Sequence, residues 1–263
     1  MRRWLSVVVV VAGSFVAVPA VMAAAEDAPS ADTFGMFDTA TGWWYLRYED
    51  PGSGVEWTYR FLFGLPSEVP LLGDWDCDGY DTPGMFRPGD GFVYLRNDIA
   101  IGSGDIGFFV GQQGDVPVVG DFNGDGCDTV SVYRPSEGRM FVFDRIGGGD
   151  GGLGAADYGY YYGNPLDKPF GGDFDGDGID TIGLHRESTG QVFLRNSNTQ
   201  GVADVAFYYG NPGDRIIAAD WAERSTHGFD SVGVFRPYAR TMFLRFANTQ
   251  GIADVDYLYG NPD

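Results

Sequence analysis

Short runs with apolar residues at alternate positions, each set off by glycine and aspartate, recur along the chain from about residue 32 to its end. Four of them finish on arginine: Pro83-Gly84-Met85-Phe86-Arg87, Val130-Ser131-Val132-Tyr133-Arg134, Ile182-Gly183-Leu184-His185-Arg186 and Val232-Gly233-Val234-Phe235-Arg236. A period of two is the mark of a strand packed on its faces, and no window sustains the 3.6-residue period of a helix. After each run a short turn leads to a second strand, expected over 92–96, 140–143, 192–195 and 242–245. A polar connection leads to a third, such as 205–209, which closes on Tyr-Gly-Asn-Pro at 162–165, 209–212 and 259–262. A fourth, such as 116–119, runs into an acidic turn, and the cycle restarts.

The unit is about 50 residues long, and four strands in such a repeat predict an all-β chain folded as a β-propeller. One four-stranded blade has two faces to cover, and stacking neighbours covers both. Five units are expected over 26–263 as a single domain, each with four antiparallel strands except the first, which is incomplete. There Asp32-Thr33-Phe34-Gly35-Met36-Phe37 aligns with Asp180-Thr181-Ile182-Gly183-Leu184-His185, with no acidic turn and no fourth-type strand before it. Residues 26–31 are a poor substitute, so that blade has either a weak closing strand or three strands. Composition agrees with the β reading: 20 Phe, 15 Tyr and 6 Trp, with 41 Gly and 14 Pro as punctuation.

The acidic turns carry the candidate chemistry. They read Asp74-Trp75-Asp76-Cys77-Asp78-Gly79-Tyr80-Asp81, Asp121-Phe122-Asn123-Gly124-Asp125-Gly126-Cys127-Asp128 and Asp173-Phe174-Asp175-Gly176-Asp177-Gly178-Ile179-Asp180. Alternating oxygen donors ended by glycine are how a short loop wraps a hard cation, and Ca2+ accepts a flexible all-oxygen cage better than Mg2+ does. On that scheme positions 1, 3 and 5 bind through side chains: Asp74, Asp76 and Asp78; Asp121, Asn123 and Asp125; Asp173, Asp175 and Asp177. Tyr80, Cys127 and Ile179 would bind through their carbonyls, and Asp81, Asp128 and Asp180 would close the sites. The competing reading is a solvated Asp/Gly turn. A fourth loop, Asp220 to Asp230, keeps its first and last Asp and an aromatic at position 2, Trp221, but has lost the donors between. Position 2 is therefore expected to be a structural plug, and positions 3 and 5 to be dispensable to the fold.

These repeats resemble the FG-GAP/VCBS class of calcium-loop propeller repeats of secreted and surface proteins, and more closely a bacterial exported variant reading Gly-Asp-Trp-Asp-Gly-Asp-Gly-x-Asp-Thr, then Val-Phe-Arg-Pro and Leu-Arg-Asn. The resemblance spans about 32–263. It implies calcium in the loops and roles in cell adhesion or ligand display, without fixing a reaction. The class usually has two residues between the last Gly and the closing Asp, where this chain has one.

Charge and the N-terminus narrow the setting. A formal net charge of −20 argues against nucleic acid, whose phosphates need a basic footprint. Arg2 and Arg3, the apolar stretch 4–18, Pro19 and the small residues around 23–25 form a secretory signal peptide over 1–25, cleaved to leave a secreted or cell-surface protein; the rival is an uncleaved anchor. No later stretch can span a bilayer. An extracellular glycan or a surface protein is the expected partner. Cys77 and Cys127, the only cysteines, allow one disulfide if their Cα atoms come within roughly 4.4–6.8 Å.

The recurrent Arg87, Arg134, Arg186 and Arg236 are expected to pair with carboxylates rather than bind ligand. Tyr160, Tyr161, Tyr208 and Tyr257 either stack on sugars or pack between blades. An extracellular glycoside hydrolase is the enzyme alternative, since two carboxylates across a cleft would suffice. The acids repeat blade by blade, however, where a catalytic pair should break the repeat, as only Asp144, Glu187 and Glu223 do. A purely structural repeat domain is the third possibility.

Overall fold

In the computed structural model, residues 10–12, 15–17, 35–49, 56–79, 81–99, 102–148, 151–222 and 228–258 are described. They form an all-β propeller of five antiparallel sheets. The second blade runs Val69–Gly73, Thr82–Arg87, Phe92–Leu95 and Ile106–Phe109. The third runs Val116–Gly120, Thr129–Arg134, Arg139–Val142 and Tyr158–Tyr161. The fourth is Lys168–Gly172, Thr181–Arg186, Gln191–Leu194 and Val205–Tyr208, and the fifth Arg215–Ala219, Ser231–Arg236, Thr241–Leu244 and Val255–Leu258. The first strand of each of these blades is innermost and faces its counterparts around the axis.

The blade is thus one strand out of phase with the sequence repeat. It begins on the strand that enters the acidic turn, and it ends near Tyr-Gly-Asn-Pro. The first blade has three strands of its own, Gly35–Asp38, Trp43–Glu49 and Glu56–Leu62. Its inner edge is paired by Phe15–Ala17, which pairs in turn with Val10–Ala12. Ala17 stands opposite Met36 as Pro117 stands opposite Val132, so the segment sits in the register of an inner strand. These strands belong to the stretch expected to leave with the leader. The rest of that leader, the cleavage site and the substitute strand at 26–31 lie outside the described residues.

Each blade covers its neighbour's face with one apolar cluster. The seams are filled by Phe37, Trp44, Phe61 and Leu72; by Leu71, Trp75, Val93 and Val132; by Tyr133, Met140, Ile182 and Leu184; and by Phe170, Val192, Val232 and Val234. The fifth cluster closes the ring, because Met36 of the first blade packs with Ile217, Trp221, Met242 and Leu244 of the last. Position 2 of the acidic loops is the expected plug: Trp75, Phe122, Phe174 and Trp221 are all buried. The two indoles donate to Thr82 O and Ser231 O.

The arginines that end the second strands are architectural. Arg134, Arg186 and Arg236 each form a two-pronged pair with the acid preceding the inner strand of the same blade, namely Asp115, Asp167 and Asp214. Arg87 pairs with Glu68. Those acids are almost wholly buried, and each also accepts a backbone N–H from the turn before it. The guanidinium then lies over an aromatic ring of the third strand, for example 4.4 Å from the Phe141 centroid and 4.5 Å from that of Phe243. Of the four tyrosines, Tyr160 is buried and donates to Asn198, while Tyr161, Tyr208 and Tyr257 stay half exposed on outer strands.

His185 stands where the other blades carry Phe86, Tyr133 and Phe235. It is fully buried, and neither ring nitrogen has a hydrogen-bond partner among the described residues. Burial lowers its pKa below the ordinary 6.5, outweighing the pull of Glu187, Asp214 and Asp167 in the opposite direction. Below about pH 6.5 the unfolded chain therefore binds a proton that the folded chain resists, and stability falls as pH drops, by at most about 1.4 kcal/mol per unit. Above that range the residue contributes no slope. Denaturant midpoints measured between about pH 5 and 8 should show a steeper acid loss for the wild type than for His185→Phe; parallel profiles would contradict this.

Candidate metal centre in the acidic loops

Each acidic loop links the inner strand to the second strand, so all lie on one face of the propeller. The first Asp organises its own loop. Asp173 Oδ1 accepts the N–H groups of Gly176 and Asp177, and its Oδ2 accepts that of Gly178. Asp121 does the same for Gly124, Asp125 and Gly126, and Asp74 for Asp78 and Gly79. Chain reversal at positions 4 and 6 needs left-handed backbone, which Gly124, Gly126, Gly176 and Gly178 supply freely. In the first loop Cys77 adopts it at φ 65°.

The expected donors divide into two groups. Asp74, Asp76 and Asp78 converge, with one carboxylate oxygen from each within 4.8 Å of the others, and Asp173, Asp175 and Asp177 do likewise. In the middle loop Asn123 donates its amide to Asp125, making a neutral–acid pair in place of two acids. Three closing acids also reach into a neighbouring loop. Asp128 Oδ2 accepts Asp74 N–H at 3.0 Å, Asp180 Oδ2 accepts Asp121 N–H at 2.7 Å, and Asp230 Oδ2 accepts Asp173 N–H at 2.9 Å. In return the N–H groups of Asp128, Asp180 and Asp230 donate to the carbonyls of Asp74, Asp121 and Asp173. The last Asp of one loop therefore clasps the first residue of the preceding blade's loop. This explains why the fourth loop retains Asp230 after losing its inner donors. Asp81 is buried in the corresponding position. Tyr80 lies outside the described residues, and Cys127 and Ile179 occupy position 7, which meets the neighbouring loop.

That meeting point accounts for the disulfide. Position 4 of one loop lies against position 7 of the next: a Cβ on Gly124 would come 3.1 Å from Ile179, and one on Gly176 would meet Gly228 and Phe229. At the first seam the same two positions are Cys77 and Cys127, bonded with their Cα atoms 4.7 Å apart. The offset between the cysteines in the repeat is thus the offset of the seam itself.

The glycines preceding the second and third loops are also set by the clasp. A Cβ on Gly120 would stand 2.8 Å from Asp180 Cβ, and one on Gly172 would stand 2.8 Å from Asp230 Oδ2. Sequence reasoning missed two asparagines. Asn198 donates to Phe122 O and Asp180 O, and Asn248 to Phe174 O and Asp230 O, so each ties a neighbouring loop to the clasp. Their signal is the shared stretch Asn198-Thr199-Gln200-Gly201 and Asn248-Thr249-Gln250-Gly251.

Electrostatically the loops are crowded. Burial pushes Asp74 up from the ordinary carboxylate value, Gly79 and Asp78 N–H groups pull it back, and the charges of Asp78 and Asp76 push it up again. Asp76 is raised by burial and then by Asp78. Asp144, outside the loops, is raised by burial, by Asp157 and by Asp125 of the middle loop, so that loop has an acidic neighbour despite Asn123.

Two outcomes follow for stability. Asp180→Ala should cost about 1–3 kcal/mol, because it strands the buried Asp121 N–H, and Asp180→Asn, which keeps an acceptor, should cost less. Equal losses in urea melts would count against the clasp. Replacing both cysteines by serine should cost about 2–4 kcal/mol, since the bond closes a sequence separation of 50 residues; an unshifted melt would show the seam to be held without it. No family model, curated protein or solved structure matches this chain.

Proposed function

We propose that the chain is an exported, calcium-loaded propeller that serves as a non-catalytic binding or surface-display module, with carbohydrate as its ligand class. The observation that carries the metal assignment is the convergence of Asp74, Asp76 and Asp78, and of Asp173, Asp175 and Asp177, in loops whose first acid already orders the turn through backbone N–H groups. Positions 3 and 5 have no architectural work that the fourth loop could not do without. Their carboxylates face solvent beside one another, where a divalent cation offsets their repulsion. A carboxylate oxygen has two lone pairs, so Asp173 can accept backbone donors and still coordinate. The resemblance to FG-GAP/VCBS repeats supports the same reading.

Support for the non-catalytic part comes from the acids that break the repeat. Glu187 is paired with Arg215, and Asp144 is half-buried beside Asp157. A second reading, a structural repeat that needs no ion, is favoured by one fact: Asp74, Asp121 and Asp173 each accept two or three backbone N–H groups of their own loop.

Calcium separates the two. Oxygen-rich loops of extracellular modules bind at roughly 10⁻⁴–10⁻³ M, and a hundredfold excess over Kd stabilises the folded state by about 2.7 kcal/mol. Calcium titration should raise the melting temperature and chelator should lower it. Asp175→Ala combined with Asp177→Ala should remove part of that rise while leaving the β-sheet circular dichroism intact, since Phe174 and the Asp180 and Asp230 clasps are untouched. A melting curve indifferent to chelator, with no heat of calcium binding, would establish the ion-free reading instead.

A further inference from the structure

The repeat is broken most strongly in the third blade, at the connection between its third and outer strands. In the fourth and fifth blades this connection is a compact polar loop braced by an arginine and an aspartate, Arg195 with Asp204 and Arg245 with Asp254. Between Val142 and Tyr158 it is longer, and it folds back over the second blade. Leu153 N–H donates to Phe109 O, and Gly152 bridges to Phe109, adding a short parallel rung to the second blade's outer edge. Arg145 pins the segment by pairing with Asp157 and donating to the carbonyls of Leu153 and Ala155.

Beneath this strap lies a recess of about 450 Å³ between the second and third blades, within the usual range for small-molecule sites. Its rim is Gly111, Gly154, Ala155, Ala156 and Gly159, none of which has a side chain long enough to fill it. Its walls are Phe141, Phe143 and Tyr158, and its charged groups are Arg134 and Arg139. No carboxylate is among the described lining residues, on a chain whose formal net charge is −20.

The two arginines differ. Arg134 is neutralised by Asp115 in the two-pronged pair common to the blades. Arg139 is peculiar to this blade, since the equivalent positions are Phe92, Gln191 and Thr241. It has no ion pair among the described residues, and its Nε–H is buried without an acceptor. Its guanidinium lies 4.6 Å from the Phe141 centroid and 5.3 Å from that of Tyr161, which holds the fork flat and in place. A desolvated donor left unpaired is costly, and the planar fork of a guanidinium is matched by a carboxylate.

We propose that this recess is a subsite for a monosaccharide-sized ring bearing a carboxylate, a uronic acid residue, with Arg139 holding the carboxylate and the aromatic walls covering the ring. The aromatic walls select a ring over a bare anion, and the absence of acids allows a negative group to enter an otherwise repulsive surface. The inference deepens the carbohydrate-binding reading and does not depend on calcium.

Calorimetry on the full chain in chelator would use digalacturonate, its dimethyl ester and benzoate as probes; short probes avoid the repulsion that a long polyanion would meet. Digalacturonate should bind, the ester should bind at least tenfold more weakly, and benzoate should not compete at equal concentration. Arg139→Gln should weaken digalacturonate at least tenfold. Ala155→Tyr, which fills the recess from its exposed rim and leaves Arg139 in the chain, should do the same with the melting temperature unchanged. No binding of digalacturonate, equal binding of the ester, benzoate as tight as the uronide, or undiminished binding by Arg139→Gln would each overturn the assignment. Because chelator is present throughout, a failure here leaves the calcium reading standing, and a failure of calcium binding leaves this one standing.

Discussion

The reciprocal clasp between adjacent acidic loops is the contact on which the top of the propeller depends. A blade's inner strand ends by turning away from the axis, and its first loop residue has a backbone N–H and C=O that the blade itself cannot satisfy. The next blade supplies both partners from one residue, through the carboxylate and N–H of Asp128, Asp180 or Asp230. Buried backbone groups left unpaired are expensive, so this pairing constrains everything near it. It demands a residue without a side chain at Gly120 and Gly172, and it brings position 4 against position 7 closely enough for Cys77 and Cys127 to bond. Asn198 and Asn248 then donate to the carbonyls of the clasping residues themselves, Asp180 and Asp230.

The opposite face is built on a different pair with the same logic. The acid before each inner strand caps its turn and accepts an arginine from the second strand, and that arginine covers an aromatic of the third. Three strands of one blade are therefore tied by a single side-chain chain, while the apolar clusters join one blade to the next. Buried ion pairs break even at best against desolvation, so their contribution is to fix geometry more than to add stability.

Separating these architectural residues from the rest makes the functional candidates visible. In the loops, what remains is positions 3 and 5. In the blade faces, what remains is the third blade, where the connection lengthens and Arg139 replaces residues that other blades leave apolar or neutral. Both are departures from what stacking alone requires, and each places charged groups where other blades manage without them.

How far the chain could be interpreted without coordinates follows from the range of the interactions concerned. The period-two runs, the unit of about 50 residues, the incomplete first blade, the aromatic plug and the structural arginines were all legible, because each is set by alternation within a strand or by comparison of one repeat with the next. The cross-seam partners of the closing acids were not. Asp81, Asp128 and Asp180 look like ligands of their own loop by spacing, and the described clasps of Asp128 and Asp180 reach across a blade seam, 54 and 59 residues away. The phase of the blade, the offset bonding of Cys77 to Cys127 and the recess beside Arg139 were likewise decided only when neighbouring blades were brought into contact. Sequence by itself determined which side chains each repeat presents, since strand pattern and turn chemistry are local. The partner of each side chain was left to tertiary structure, because it stands on the next blade, at a distance in the chain that no local periodicity encodes.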